Sequence, residues 1–164
     1  MKGLKLMKKV TVHTRRLTPV SKVYEGKNQI GQLKSVKNMT AQQKEFSLQL
    51  DWHGIAYQAL ETKNNLDRRN WTLYKKKEQA GTLSVPSRPS ALGNPDYEPS
   101  QLLIHGSTLT LNEGEKGRHL TLMNEQSEKT AELKKKGFGK VEATLYPEED
   151  EPLFLLALYI AFKL

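Results

Sequence analysis

The side chains that could do chemistry are few and poorly spaced for it. Four histidines, His13, His53, His105 and His119, are scattered along a chain of 164 residues. No two stand at a metal-sharing spacing, and no His-Glu-x-x-His occurs. Four aspartates (Asp51, Asp67, Asp96 and Asp150) are a thin supply for an oxygen-lined metal cage. The runs Gly114-Glu115-Lys116-Gly117 and Gly137-Phe138-Gly139-Lys140 lack the Gly-Lys-Ser/Thr ending and the following helix of a phosphate loop, so they read as hairpin turns. No Gly-x-Ser-x-Gly elbow presents a serine nucleophile. Glu148, Glu149, Asp150 and Glu151 precede an apolar run and suit a helix start better than an acid–base pair. The chain has no cysteine, which excludes disulfides, thiolate zinc, iron–sulfur clusters, a thiol nucleophile and a palmitoyl anchor. No enzyme, metal or cofactor is expected.

Charge is the informative signal. Lysines and arginines number 26 against 18 acids, a net +8. Residues 1–45 hold eleven of the bases and only Glu25 and Glu45 as acids; the remainder is almost balanced. Consecutive strands of a meander are neighbours in space, so Arg15, Arg16, Lys22, Lys27, Lys34 and Lys37 are expected on one cationic face. Such a face attracts polyanions, whether phospholipid headgroups or nucleic acid. The runs Lys75-Lys76-Lys77 and Lys134-Lys135-Lys136 are offset by acids and read as solvated turns.

Most of the chain must be strands. Phe46, Leu48 and Leu50 alternate, Asp51-Trp52-His53-Gly54 turns, and Ile55 to Thr62 returns. The same pattern of period-two runs between Gly, Asn, Asp and Glu recurs from about residue 9 to 146, giving about twelve strands. A turn is expected at Lys77 to Gln79. Asn38 to Lys44 reads as a loop or short helix, and Pro86 to Pro99, with four prolines, as a long crossing loop. With 39 Leu, Ile, Val and Phe residues the chain can build one core, so residues 1–164 are taken as a single domain.

The end of the chain differs. Leu153, Phe154, Leu155, Leu156, Ala157, Leu158, Tyr159, Ile160, Ala161 and Phe162 form ten consecutive apolar residues. Ten helical residues rise about 15 Å, half of what a bilayer needs. Apolar on every side, with Asp150 as cap, Pro152 in the first turn and Lys163 at the far end, the segment reads as a buried helix over about residues 150–163. A twelve-stranded sheet closed into a barrel has an interior too wide for its own side chains to fill. The expected fold is therefore mainly β, a closed antiparallel barrel with this hydrophobic helix through its centre.

That arrangement resembles the tubby C-terminal-like superfamily, which includes the tubby, LURP-one-related and phospholipid-scramblase-like proteins. The likeness is carried by FSLQLDWHGIAYQAL (Phe46 to Leu60), HLTLMNEQSEKTAELKKK (His119 to Lys136) and EPLFLLALYIAF (Glu151 to Phe162). It covers nearly the whole chain and is most similar to short LURP-one-related and bacterial members. It implies a non-enzymatic module without cofactors, since tubby domains bind membrane phosphoinositides through a basic cluster and scramblase-like members act at membranes. No segment matches the tubby phosphoinositide-contacting motif, so no residue role is carried over, and no scramblase-type calcium segment is present.

The expected function is docking to an anionic lipid surface through the basic N-terminal face, in a cytoplasmic protein peripheral to a membrane and without a transmembrane segment. A structural or protein-interaction domain is the alternative. Nucleic-acid binding, with Trp52, Tyr57, Trp71 and Tyr74 as stacking platforms beside Lys75 to Lys77, ranks third.

Overall fold

The computed structural model describes residues 8–13, 20–39, 44–62, 68–86, 100–113, 119–137, 139–146 and 151–163. Twelve strands follow in chain order: β1 (Lys8–His13), β2 (Val20–Glu25), β3 (Asn28–Met39), β4 (Lys44–Trp52), β5 (Ile55–Glu61), β6 (Arg68–Lys75), β7 (Glu78–Pro86), β8 (Ser100–Ile104), β9 (Ser107–Glu113), β10 (His119–Met123), β11 (Lys129–Lys135) and β12 (Lys140–Leu145). One helix, α1 (Glu151–Lys163), completes them. Each strand pairs antiparallel with its sequence neighbours, and β1 closes on β12, so the sheet is a barrel without edges. Asp150 and Thr40 to Gln43 lie outside the described residues, as does most of the proline-rich segment. The Asn38-to-Lys44 expectation is corrected at its ends: β3 runs to Met39 and β4 starts at Lys44.

Alternation explains which way each strand faces. Val10 and Val12, Leu48 and Leu50, Leu102 and Ile104, and Leu120 and Leu122 all point inward and are buried, while the intervening residues face out. The helix fills the space they enclose. Leu153 to Ile160 are all buried, and α1 packs against β4 and β5 on one side and β10, β11 and β12 on the other. Ala59, Ala131 and Ala143 stand inward on three of those strands, where small side chains leave room for a helix. Tyr159 hydrogen-bonds through its hydroxyl to Ser21 Oγ at 3.3 Å, fixing the last turns to β2. Burial pushes the Tyr159 hydroxyl above its ordinary pKa, and the Ser21 bond only partly offsets that.

Five tight turns crowd one rim, where α1 enters: β2–β3, β4–β5, β6–β7, β8–β9 and β10–β11. Each rim carries an ion pair beside a tryptophan. At the turn-bearing rim Lys8 Nζ donates to Glu151 Oε2 at 3.1 Å and lies over the Trp52 ring. Toward the opposite rim Arg69 donates through Nε and Nη2 to the Glu61 carboxylate at 3.0 and 2.9 Å, and its guanidinium lies over Trp71.

The hairpins repeat. Tyr24-x4-Gln29-x-Gly31-x-Leu33 recurs fifty residues on as Tyr74-x4-Gln79-x-Gly81-x-Leu83, and the His53-Gly54 turn recurs as His105-Gly106. Both Tyr strands carry a bulge at the same place, between Val23 and Tyr24 and between Leu73 and Tyr74. Gly31 and Gly81 sit opposite these bulges. A Cβ on Gly31 would strike the Asp51 carbonyl, and one on Gly81 the Leu103 carbonyl. The barrel therefore contains two copies of a four-strand unit, β2–β5 and β6–β9. The turn in the second copy is Lys76-Lys77 (φ 50° and 69°), so β7 begins at Glu78, earlier than the turn expected at Lys77 to Gln79.

Candidate functional site

The cationic side chains are positioned by strand register. On β2, Ser21 and Val23 are buried, so Lys22 faces outward and is exposed; on β3, Leu33 is buried and Lys34 faces outward. Lys22 lies opposite Gln32, and Val20 opposite Lys34, so the two lysines are diagonal neighbours on adjacent strands. Lys27 is also exposed but occupies the β2–β3 turn at the far rim. Lys37 lies on β3 opposite Phe46, an odd number of residues from Lys34 and so on the alternate register. Arg15 and Arg16 belong to the β1–β2 connection and lie outside the described residues. Of the six expected contributors, the structure brings Lys22 and Lys34 together and places Lys27 apart.

Barrel closure adds two residues that the sequence reading did not place on this face. His13 at the end of β1 lies directly opposite Lys22 on β2 and directly opposite Lys140 on β12. Lys140, His13 and Lys22 thus form one row across three strands, about 10 Å from end to end at the usual strand spacing. Lys34 stands one diagonal step beyond, and the backbone N–H of Lys136 donates to Lys140 O at the other side. Among the described residues Lys22, Lys34 and Lys140 make no ion pair. On β12 the next outward residue is Glu142, opposite Thr11 and Lys134. The His13 ring packs on Tyr24, with centroids 4.6 Å apart. Burial, and then the charge of Lys140, hold the His13 pKa below its ordinary value. The row is therefore a cationic seam with a neutral imidazole at its middle.

The stacking platforms considered for nucleic acid are mostly interior. Trp52, Tyr57 and Trp71 are buried, whereas Tyr74 is half-buried on the outer face. Lys75 lies over the Tyr57 ring at 6.0 Å. Among the described residues no group of three or more His, Asp or Glu is placed to hold a metal ion, and no helix is long and apolar enough to cross a membrane.

No family model matches the chain, and no curated protein does. A solved structure does: the X-ray structure of the Arabidopsis thaliana protein AT5G01750 aligns over 95% of this chain and 90% of that one, with a TM-score of 0.55 and 12% identity. The likeness is one of fold. It extends over nearly the whole of both chains, so this architecture is shared with a distant protein.

Proposed function

We propose that the chain is a non-catalytic docking module, a distant member of the tubby C-terminal-like superfamily, that binds anionic phospholipid headgroups through its cationic seam. The observation that carries this reading is the row Lys140–His13–Lys22 with Lys34 beside it, its lysines free of ion pairs among the described residues. Unpaired ammonium groups on one convex surface bind phosphates without first breaking a protein contact. Each lysine near a negative leaflet contributes about 1 kcal/mol, so three or four give weak, salt-sensitive association. The site of action would be the cytoplasmic surface of a membrane.

Sedimentation with phosphatidylcholine vesicles carrying an increasing share of phosphatidylserine tests this. The bound fraction rises with phosphatidylserine and falls as salt shortens the Debye length. Equal binding to neutral vesicles contradicts it, as does salt-sensitive binding to oligonucleotides alone.

One observation favours a protein-interaction reading instead. Leu60, Thr72, Thr82, Leu103 and Thr108 share one register row across β5–β9, a row without charge that carries the exposed Leu60 and Leu103. Capture of one protein partner that survives reversal of Lys22 and Lys140 but not Leu103→Arg would support that alternative.

A further inference from the structure

A notch of about 360 Å³ opens on the outer face of β3–β5, away from the seam except for Lys34 at its margin. Two register rows build it. Lys34, Gln49 and Gln58 stand opposite one another on three consecutive strands, and Gln32, Asp51 and Ala56 form the row beside them. Gly54 and Ala56 are the low ground, because neither has a side chain large enough to fill the space. The β6–β7 turn overhangs it: the Lys76 N–H donates to Ala56 O at 2.9 Å, which brings Lys77 to the edge opposite Lys34.

The repeated four-strand unit supplies a comparison within the molecule. Ala56 corresponds to Thr108, and the β6–β7 turn to the β10–β11 turn. At that second place the Glu125 carboxylate reaches across and accepts a hydrogen bond from the Thr108 N–H at 3.0 Å, in a smaller notch of about 240 Å³. Among the described residues the first notch has no such strut.

Its chemistry is specific in kind. Gln32, Gln49 and Gln58 make no side-chain hydrogen bond among the described residues, and Lys34 and Lys77 make no ion pair there. Asp51 accepts from the Gly54 N–H through Oδ1 at 3.0 Å, leaving its other oxygen. An amide both donates and accepts, so neighbouring amides match adjacent hydroxyl groups, which do the same. Two ammonium groups at the margins suit a carboxylate. Leu50 and Tyr57 lie buried beneath it and form its floor.

We propose that this notch binds an acidic oligosaccharide: hydroxyls on Gln32, Gln49, Gln58 and Asp51, carboxylates on Lys34 and Lys77. The volume lies within the roughly 300–1,000 Å³ of small-molecule sites. This proposal is independent of lipid docking, because only Lys34 is common to both.

Isothermal titration with trigalacturonate tests it, with maltotriose supplying hydroxyls without charge and citrate supplying charge without sugar. Trigalacturonate binds, and both controls bind at least tenfold more weakly. Gln49→Leu/Gln58→Leu and, separately, Lys77→Gln weaken it at least tenfold, whereas Lys140→Glu, on the far side of the seam, leaves it unchanged. No binding of trigalacturonate, citrate binding as tightly, full affinity in the notch variants, or loss in the seam variant each overturns the proposal.

Discussion

His13 shows how a single residue acquires its character from strand pairing. Burial and Lys140 favour its neutral form, so the unfolded chain takes up a proton more readily than the folded one. Stability is then full above the ordinary histidine value and declines as pH falls below about 6.5 toward the lower folded value. Urea unfolding across that range is expected to show the decline in the native chain and a flatter profile in His13→Gln. Glu132 behaves in the opposite sense chemically. Burial works against its ionisation, yet hydrogen bonds from His119 and Lys129 outweigh it and hold the carboxyl below its ordinary value. Its stabilisation is present above the usual carboxylate range and is lost as pH falls through the lowered value. Glu132→Gln should therefore reduce the acid sensitivity of unfolding between about pH 5 and pH 3. The His13 environment was not legible from spacing: His13 and Lys140 are 127 residues apart, and only closure of the sheet sets them side by side.

At the scale of elements, α1 was the plainest feature of the sequence, because ten unbroken apolar residues too short for a bilayer leave burial as the remaining solution. The strands were legible for a similar reason, since alternation with turn residues marks both their existence and their faces. Leu156→Ala should lower stability by about 2–5 kcal/mol in chemical denaturation, since Leu156 is fully buried and its loss leaves a cavity. Spacing revealed the β6–β7 turn but not its residues or their conformation. Such a turn with two left-handed residues usually advertises itself by Asn-Gly, whereas here Lys76 and Lys77 occupy those positions at φ 50° and 69°. For side chains other than Gly or Asn that conformation costs roughly 1–2 kcal/mol per residue. Lys76→Asn/Lys77→Gly is therefore expected to raise stability by about 1 kcal/mol, read from the denaturation midpoint; an unchanged or lowered midpoint would show the turn is not strained. The four-strand repeat is faint in the sequence because it rests on a few shared residues in each hairpin, with the rest replaced.

The whole molecule is a meander in strand order, yet the proposed seam depends on one contact that the meander does not supply, the pairing of its first strand with its last. The charge-rich residues 1–45 include Lys22 and Lys34, the β2–β3 half of the proposed seam. That excess of charge could not locate the other half, because β12 lies in a segment whose overall charge is balanced. The run of β2 also separates residues that composition grouped: Lys27 lies in the turn at one rim while Lys22 stands toward the other. Charge on this molecule is therefore a property of the barrel rather than of a stretch of chain. The most direct test is vesicle sedimentation at a fixed phosphatidylserine content, comparing Lys22→Glu/Lys140→Glu with Lys75→Glu/Lys76→Glu. At about 1 kcal/mol per lysine, reversing the seam pair should weaken binding roughly tenfold or more, and reversing the hairpin pair should weaken it far less. Equal losses from both variants, or none from the seam pair, would contradict docking through the seam.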